Sequence, residues 1–291
     1  MAVESAMTPD GLDERFDPRF FHRAARVVSP LVHGWFRYRL RGLDRLPSGV
    51  PALLVGNHSA WGTAEILCFL VAWAETLGES RRVNGLMHDA MLATPLVGAF
   101  YRRIGAIPAT SDSGRAALSA GHDVLAFPGG DIDSCRPFYE PRKVRFGARR
   151  GYVRLALEAG VPVCPIATIG SHYTWLMAPG GGLIARTLGF PKRLRAHTIP
   201  LPLGWLAIVC AIAMFAMHLL PWWGLMTVVV AGLAPNPVRI TSEMLPPIDL
   251  RAATAHLEGD AAKVEHGHAL VYGALADAVA RMEHTRPYAS S

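Results

Sequence analysis

The sequence carries little charge and lacks the short motifs that identify several large enzyme classes. Charged residues make up only 18% of the 291 residues. No glycine-rich dinucleotide-binding motif, P-loop or Gly-x-Ser-x-Gly nucleophile motif occurs. The four cysteines show neither Cys-x-x-Cys pairing nor zinc-finger spacing. These absences argue against a Rossmann-type dehydrogenase, a P-loop enzyme, a common serine hydrolase and a zinc-finger protein.

Two further features of the sequence concern the location of the protein. Residues 1–21 contain no apolar stretch of the kind that forms a signal peptide. Three cysteines, Cys68, Cys164 and Cys210, lie in apolar runs, where cysteine behaves as a small core hydrophobe. These features favour a reducing, cytosol-facing environment, because disulfides form mainly in oxidising compartments.

The chain is instead apolar and basic. Apolar residues make up 51%, the net charge is +6 and the pI is near 9.4. Such a balance suits an acidic membrane surface, a phosphate-bearing substrate or nucleic acid. Residues 18–41 mix apolar residues with arginines, which is typical of a basic amphipathic helix on an anionic bilayer or of a helix packed on the domain. Because the arginines flank apolar, membrane-like segments, nucleic-acid binding is not predicted.

Residues 203–234 form one long run without Asp, Glu, Lys or Arg, broken by Pro221. A membrane-spanning helix needs about 20 apolar residues, and neither part of the run is comfortably that long. Tryptophans at 205, 222 and 223 suit the membrane interface. We therefore predict a shallow or re-entrant helical pair in one leaflet, with the flanks Arg195 and Arg239 on the cytoplasmic side. The alternative is a buried helix and strand of the domain itself.

Short apolar segments alternate with helical segments over most of the chain, which predicts an α/β fold with a largely parallel central sheet flanked by helices. Buried strands are predicted at 52–57, 124–130 and 161–170. The predicted organisation is an N-terminal tail with a basic amphipathic helix (1–41), a domain that includes the apolar run (42–250), and a C-terminal polar helix and tail (251–291).

The most informative stretch is ALLVGNHSAWGTAEILCFL, in which His58 follows a buried strand and Glu65 lies on the first turn of the next helix. A strand end fixes the imidazole, and a nearby carboxylate holds its tautomer and stabilises the charge that it gains. The pattern therefore predicts a general base, although His58 could also simply cap the helix.

A second stretch, FPGGDIDSCRPF, places Gly129 and Gly130 at another strand end. Open α/β sheets bind ligands outside the carboxyl ends of their strands, and glycines allow a ligand to approach the backbone closely. A plain turn is the alternative interpretation.

Taken together, these stretches resemble the glycerolipid acyltransferase family, the PlsC-type lysophospholipid acyltransferases. GLDRLPSGVPALLVGNHSAW resembles the approach to the first motif, in which four residues separate a His from an Asp. FPGG resembles the third motif, usually Phe-Pro-Glu-Gly, and VPVCPIATIG the fourth. GARRGYVRLALEAGVPVCPIA is similar to the monoacylglycerol and diacylglycerol acyltransferase-like branch. The resemblance covers about residues 42–250.

The sequence departs from the family pattern at two positions. The family's Asp falls on Thr63, so Glu65 is the predicted partner of His58, with Asp131 or Asp133 as alternatives. The family's third-motif Glu falls on Gly129. Because that Glu is often linked to binding the glycerol or phosphate end of the acceptor, its loss favours a neutral or unusual acceptor.

The resemblance implies an acyltransferase that moves a fatty acyl group from acyl-CoA, or from acyl carrier protein, to the hydroxyl of a membrane lipid alcohol at the cytoplasmic face. His58 and Glu65 are the predicted catalytic residues, and no metal or redox cofactor is implied. Two alternatives stay open: a lipid hydrolase, and a non-catalytic lipid-binding membrane protein with a degenerate site. The predicted substrate-binding residues are Gly129, Gly130, Asp131, Arg136 and Arg150.

Overall fold

A seven-stranded sheet forms the centre of the computed structural model, which describes residues 16–59, 61–189 and 197–286. Arg195 and the ends of both predicted tails lie outside these ranges. The strands are β1 (Arg39–Arg41), β2 (Leu53–Gly56), β3 (Val83–Met87), β4 (Ala106–Pro108), β5 (Asp123–Ala126), β6 (Val163–Ile169) and β7 (Thr241–Met244).

The strand order is β1-β7-β6-β2-β5-β3-β4, and every neighbouring pair is parallel except β6 and β7. Leu53 of β2 lies opposite Val124 of β5 on one side and Val163 of β6 on the other. These central strands are short and apolar because helices cover both faces of the sheet. The predicted α/β fold with a largely parallel sheet is confirmed.

Helices connect the strands and cover the sheet. They are α1 (Pro18–Pro30), α2 (Ala64–Leu77), α3 (Asp89–Ala93), α4 (Val97–Arg103), α5 (Ser111–Ser119), α6 (Gly130–Ser134), α7 (Gly151–Ala159), α8 (Gly181–Thr187), α9 (Leu203–Ala216), α10 (Trp222–Leu233), α11 (Leu250–Ala253) and α12 (Asp260–His284). A π-helical turn, Leu31–Trp35, extends α1, and short 3₁₀ turns span Leu43–Arg45, Gly78–Ser80 and Ser171–Tyr173.

Alternate residues of the central strands feed two cores, as the strand period of two requires. Leu53 and Val55 pack with α5, α7 and α12 on one face. Leu54 packs on the other face in the cluster that contains Phe69 and Trp73 of α2. The site-bearing loop after β2 is therefore held between two well-packed layers.

Two of the expected helices are shorter than the sequence pattern indicates. The segment 18–41 is helical only to Trp35, and Arg39–Arg41 forms β1, paired with β7. The C-terminal segment is two helices rather than one, because Gly259, with φ of 81°, separates α11 from α12. A face of α12 is buried in the core, so this helix is amphipathic rather than wholly polar.

The apolar run 203–234 forms two helices, α9 and α10, that pack against each other. It is neither a buried helix nor a strand of the core, because most of its large apolar side chains are exposed. Within residues 16–59, 61–189 and 197–286, no helix combines the length and apolar composition needed to cross a membrane.

Candidate active site

His58 lies at the carboxyl end of β2, where Asn57 fixes the strand to β6. The Asn57 side chain donates to the Thr168 carbonyl at 2.8 Å and accepts from the Thr168 N–H at 2.7 Å. The His58 ring lies 5.4 Å from the Phe127 ring, and its side chain is 14% exposed. This position anchors the backbone of His58 and leaves its imidazole partly accessible to solvent.

Glu65 reaches His58 because the intervening turn is tight. Gly62 and Thr63 have φ values of 84° and 60°, so both occupy the left-handed region before α2 begins. Glu65 Oε1 lies 2.6 Å from His58 Nδ1 and accepts the Ser59 N–H at 3.0 Å. A carboxylate so placed accepts a hydrogen bond from Nδ1–H and leaves Nε2 as the basic nitrogen.

The Glu65 carboxylate is thus within hydrogen-bonding distance of the imidazole, as expected, and its side chain is only 1% exposed. Thr63, at the position of the family's Asp, makes no side-chain capping bond to α2. The catalytic roles of His58 and Glu65 stay predictions.

Asp133, considered above as an alternative partner, holds the backbone of His58 instead. Its Oδ2 accepts the His58 N–H at 2.9 Å, and its Oδ1 accepts the Arg145 N–H at 3.0 Å. Arg136 Nη1 lies 2.9 Å from Oδ1. Complete burial raises the pKa of the Asp133 carboxyl to about 6, although the charges of Arg136 and His58 oppose the rise. Asp133 therefore joins the His58 loop to the 136–145 loop.

The glycine turn is crowded rather than open. A Cβ added to Gly129 would lie 2.3 Å from the Asp133 Cβ and 2.7 Å from the Arg145 carbonyl oxygen. A Cβ added to Gly130, which has φ of 47°, would lie 2.5 Å from Arg149 Nη1. The Gly130 N–H already donates to the Phe127 carbonyl at 3.1 Å. Position 129 therefore has no room for a side chain, the positive φ favours glycine at 130, and the Gly130 amide is engaged within the turn.

Asp131 and Arg149 support this turn from outside. Arg149 Nη1 donates to the Pro128 and Gly129 carbonyls, and Nη2 pairs with Asp131 Oδ1 at 2.7 Å. Asp131 Oδ2 accepts two backbone N–H groups, from His197 and Thr198. Burial opposes the shift, but these bonds, led by that from Arg149, lower the pKa of Asp131. Asp131 is thus engaged by the protein, and its contact with substrate stays a prediction.

The two arginines predicted to bind substrate are directed elsewhere. Arg136 is 1% exposed, and besides Asp133 it donates to the Glu140 and Pro141 carbonyls. Arg150 donates to Glu265 of α12 and to the Gly147 carbonyl. Arg136 therefore serves as an internal tie, and Arg150 faces α12 rather than the glycine turn. Contact of either arginine with substrate stays a prediction.

His172 completes the packing behind the site. Its Nε2 donates to the Pro137 and Phe138 carbonyls at 3.1 and 3.2 Å. Burial, with a smaller effect of the Arg136 charge, lowers the pKa of His172 to about 4, so the ring is neutral near pH 7. His172 is therefore a neutral residue with a structural role in the described part of the chain.

Sequence reasoning missed the roles of Asp133, Arg149 and three tryptophans. The Trp61 ring lies 5.6 Å from Trp175 and 5.0 Å from Trp205, in edge-to-face geometry. The sequence itself shows that Trp61 lies three residues after His58. The partners of Trp61 are more than a hundred residues away, and only the fold brings them together.

The fold and the His58–Glu65 contact define a class: an α/β protein with a hydrogen-bonded His–Glu pair at the carboxyl edge of a mostly parallel sheet. Residues 37–169, a little under half of the chain, match the family model described as Acyltransferase. The matched segment contains His58, Glu65, the glycine turn and Asp133. The resemblance and the acyltransferase class inferred from the sequence are confirmed by this match.

Relatives are similar over part of their length. An uncharacterized protein of Mycobacterium leprae is 28% identical over 204 residues, which cover 65% of this chain and 54% of that protein. The "DGAT1/2-independent enzyme synthesizing storage lipids" of Gallus gallus is 27% identical over 179 residues, 60% of this chain and 51% of that protein. The chain therefore spans about half the length of the curated relatives it matches.

A solved structure is similar in fold. The crystal structure of the 1-acyl-sn-glycerophosphate (LPA) acyltransferase PlsC from Thermotoga maritima matches with a TM-score of 0.50 and 14% sequence identity. The match covers 96% of this chain and 82% of that one. At this level of identity the likeness supports the fold.

Proposed function

We propose that the chain transfers a fatty acyl group from a thioester, acyl-CoA or acyl carrier protein, to the hydroxyl of a neutral lipid alcohol. The observation that carries this proposal is the 2.6 Å contact between His58 Nδ1 and Glu65 Oε1 within an acyltransferase-family segment. A neutral imidazole held in this way has its second nitrogen available as a general base.

In the proposed reaction, His58 Nε2 takes the proton of the acceptor hydroxyl while the hydroxyl oxygen attacks the thioester carbonyl carbon. The tetrahedral intermediate collapses, the carbon–sulfur bond breaks, and the thiolate takes the proton from the imidazolium. The products are an ester and a free thiol. Glu65 stabilises the transient cation of His58, and this requires neither an enzyme nucleophile nor a metal.

The surroundings of the glycine turn favour an acceptor without phosphate. No carboxylate side chain fits at position 129, and the Arg149 guanidinium is paired with Asp131. Lys143 and Arg145 both pair with Glu140. Two carboxylates of the protein therefore offset two of the three positive charges that would otherwise attract a phosphate. The name of the Gallus gallus relative, which refers to storage lipids, also suits a neutral acceptor.

The test is an assay of purified protein with radiolabelled acyl-CoA against monoacylglycerol, diacylglycerol, a long-chain alcohol and lysophosphatidate. Acyl transfer by a His58→Ala variant should fall about a hundredfold or more. The exposed His88, replaced in the same way, is the matched control. Near-normal transfer by folded His58→Ala would refute the mechanism.

Two other outcomes would select the alternatives. Release of free fatty acid without an acceptor product would indicate a lipid hydrolase. Lipid binding without turnover by the folded wild-type protein, with either thioester donor, would indicate a non-catalytic membrane lipid-binding protein.

We also propose that the protein works at the cytoplasmic face of a membrane, with membrane lipid as its partner. Its four cysteines are free, which suits a reducing compartment. Basic residues of α1 line an open depression beside the end of α2, and such a cluster suits anionic lipid. The lining residues are Arg19, His22, Arg23, Arg26, Gly78 and Glu79.

A further inference from the structure

The α9–α10 hairpin has an unusual surface for a helical pair. Gly204 and Gly232 meet where the helices cross, since a Cβ on either glycine would lie 2.6 Å from the carbonyl oxygen of the other. This close approach fixes the two helices against each other. Among the residues of α9 and α10, only Ala211 and Gly224 are buried.

The exposed apolar residues of α9 surround the helix rather than lining one face. At 100° per residue, Leu206, Ile212 and Met214 point in three different directions, and all three are exposed. A protein partner covers one face and supplies a polar rim with hydrogen bonds. An all-round apolar surface is instead suited to a fluid apolar surrounding.

The two helices of the hairpin carry few polar side chains, and His218 lies in the turn between them. Residues 203–234 contain no Asp, Glu, Lys or Arg. The Thr227 hydroxyl donates to the Trp223 carbonyl of its own helix at 2.8 Å, so this hydroxyl has a partner within the helix. The 14 residues of α9 extend about 21 Å, short of the roughly 30 Å hydrocarbon core.

Both ends of the hairpin are attached next to the candidate active site. The Leu203 N–H donates to the Leu176 carbonyl, and the Asn236 N–H to the Thr174 carbonyl, both at 2.8 Å. Residues 174 and 176 follow β6, whose carboxyl end lies beside that of β2. Trp205 of α9 also packs on Trp61, three residues after His58.

We propose that the α9–α10 hairpin is a membrane-docking surface that inserts into one leaflet of a lipid bilayer and seats the His58 edge of the sheet at the lipid surface. The docking itself does not depend on the chemistry. Only the further point, that the acceptor enters from the bilayer, rests on the proposed acyl transfer.

The experiment is flotation of the purified full chain with phosphatidylcholine vesicles. Val209 and Val230 are 65% and 68% exposed, so Val209→Asp and Val230→Asp together should leave the fold intact, which circular dichroism checks. The double variant should bind vesicles at least about tenfold less than wild type, because a charged side chain is costly in hydrocarbon. Val50→Asp, at a 49% exposed site before β2, is the matched control and should bind normally.

Equal flotation of the double variant and wild type would overturn the proposal. So would a wild-type protein that stays in the aqueous fraction as a dimer through this hairpin. Acyl transfer to a short-chain, water-soluble acceptor, measured on the same variants, separates the two questions. A double variant that retains this activity but does not float supports docking, whereas an inactive wild type that floats refutes only the proposed chemistry.

Discussion

Replacing Glu65 with Gln tests the general-base pair at the point where the structure is most specific. The substitution keeps the shape of a side chain that is 1% exposed and removes one negative charge 2.6 Å from His58 Nδ1. The Ser59 N–H, which donates to the same oxygen, keeps an acceptor if the amide oxygen takes that place. The change is therefore mainly electrostatic.

The magnitude follows from the charge that develops on His58 when it takes the acceptor's proton. Opposite charges with centres about 4 Å apart attract by roughly 4 kcal/mol at an effective dielectric constant of about 20. A barrier change of about 1.4 kcal/mol is tenfold in rate, so kcat should fall roughly a thousandfold. Because Glu65 is buried, water cannot readily replace the lost charge.

The assay is steady-state acyl transfer at varied concentrations of donor and acceptor, with thermal unfolding measured on the same samples. We expect kcat to fall while KM for both substrates changes little, since Glu65 acts through His58. The exposed Glu258, changed to Gln, is the control and should behave as wild type. A folded Glu65→Gln protein with kcat within tenfold of wild type would refute the reasoning.

Three further predictions concern neighbouring groups. Asp133→Asn should lower kcat about tenfold or more, because it releases the His58 backbone. It should also lower the free energy of unfolding by about 3–5 kcal/mol, because it leaves the buried Arg136 without its carboxylate partner. An unchanged kcat would show that the bond from Asp133 to the His58 backbone is not needed. The neutral state of His172 stabilises the fold above about pH 6.5, and this contribution is lost as the pH falls toward about 4. In urea titrations between pH 7 and 4, the free energy of unfolding of wild type should therefore fall by about 3 kcal/mol more than that of His172→Gln. Parallel pH dependences of the two proteins would contradict this prediction. Anionic lipid should strengthen vesicle binding through the basic residues of α1, Arg19, Arg23 and Arg26. High salt, or replacement of all three arginines by Gln, should abolish only this added binding. Added binding that survives both changes would exclude a role for these arginines.

The sequence was sufficient to predict the sheet type and the approach of Glu65 to His58. Strands that are apolar throughout indicate burial on both faces, and the order of strand, loop and helix places an acid of the first helical turn near the strand end. It could not predict how the turn closes. That depends on Thr63 adopting a left-handed φ, which few residues of this type do.

Arg136 shows why charged residues near a site are difficult to interpret from sequence. A run of basic residues suggests phosphate contacts, but Arg136 follows Asp133 by three residues and folds back onto it in the interior. Asp133 in turn binds backbone groups at positions 58 and 145. Contacts across such sequence separations follow from the packing of three loops, which no local pattern encodes.

The crowding at Gly129 has an evolutionary consequence. A side chain at 129 would collide with the Cβ of Asp133 and with the backbone of Arg145, neither of which can move as the end of a flexible chain can. Introducing the Glu that is usual in the third motif of the family it resembles would therefore require the 133–145 loop to be rebuilt at the same time. A single substitution at position 129 or within the 133–145 loop should be deleterious, so a sequence with this turn is separated from the Phe-Pro-Glu-Gly form by an epistatic barrier.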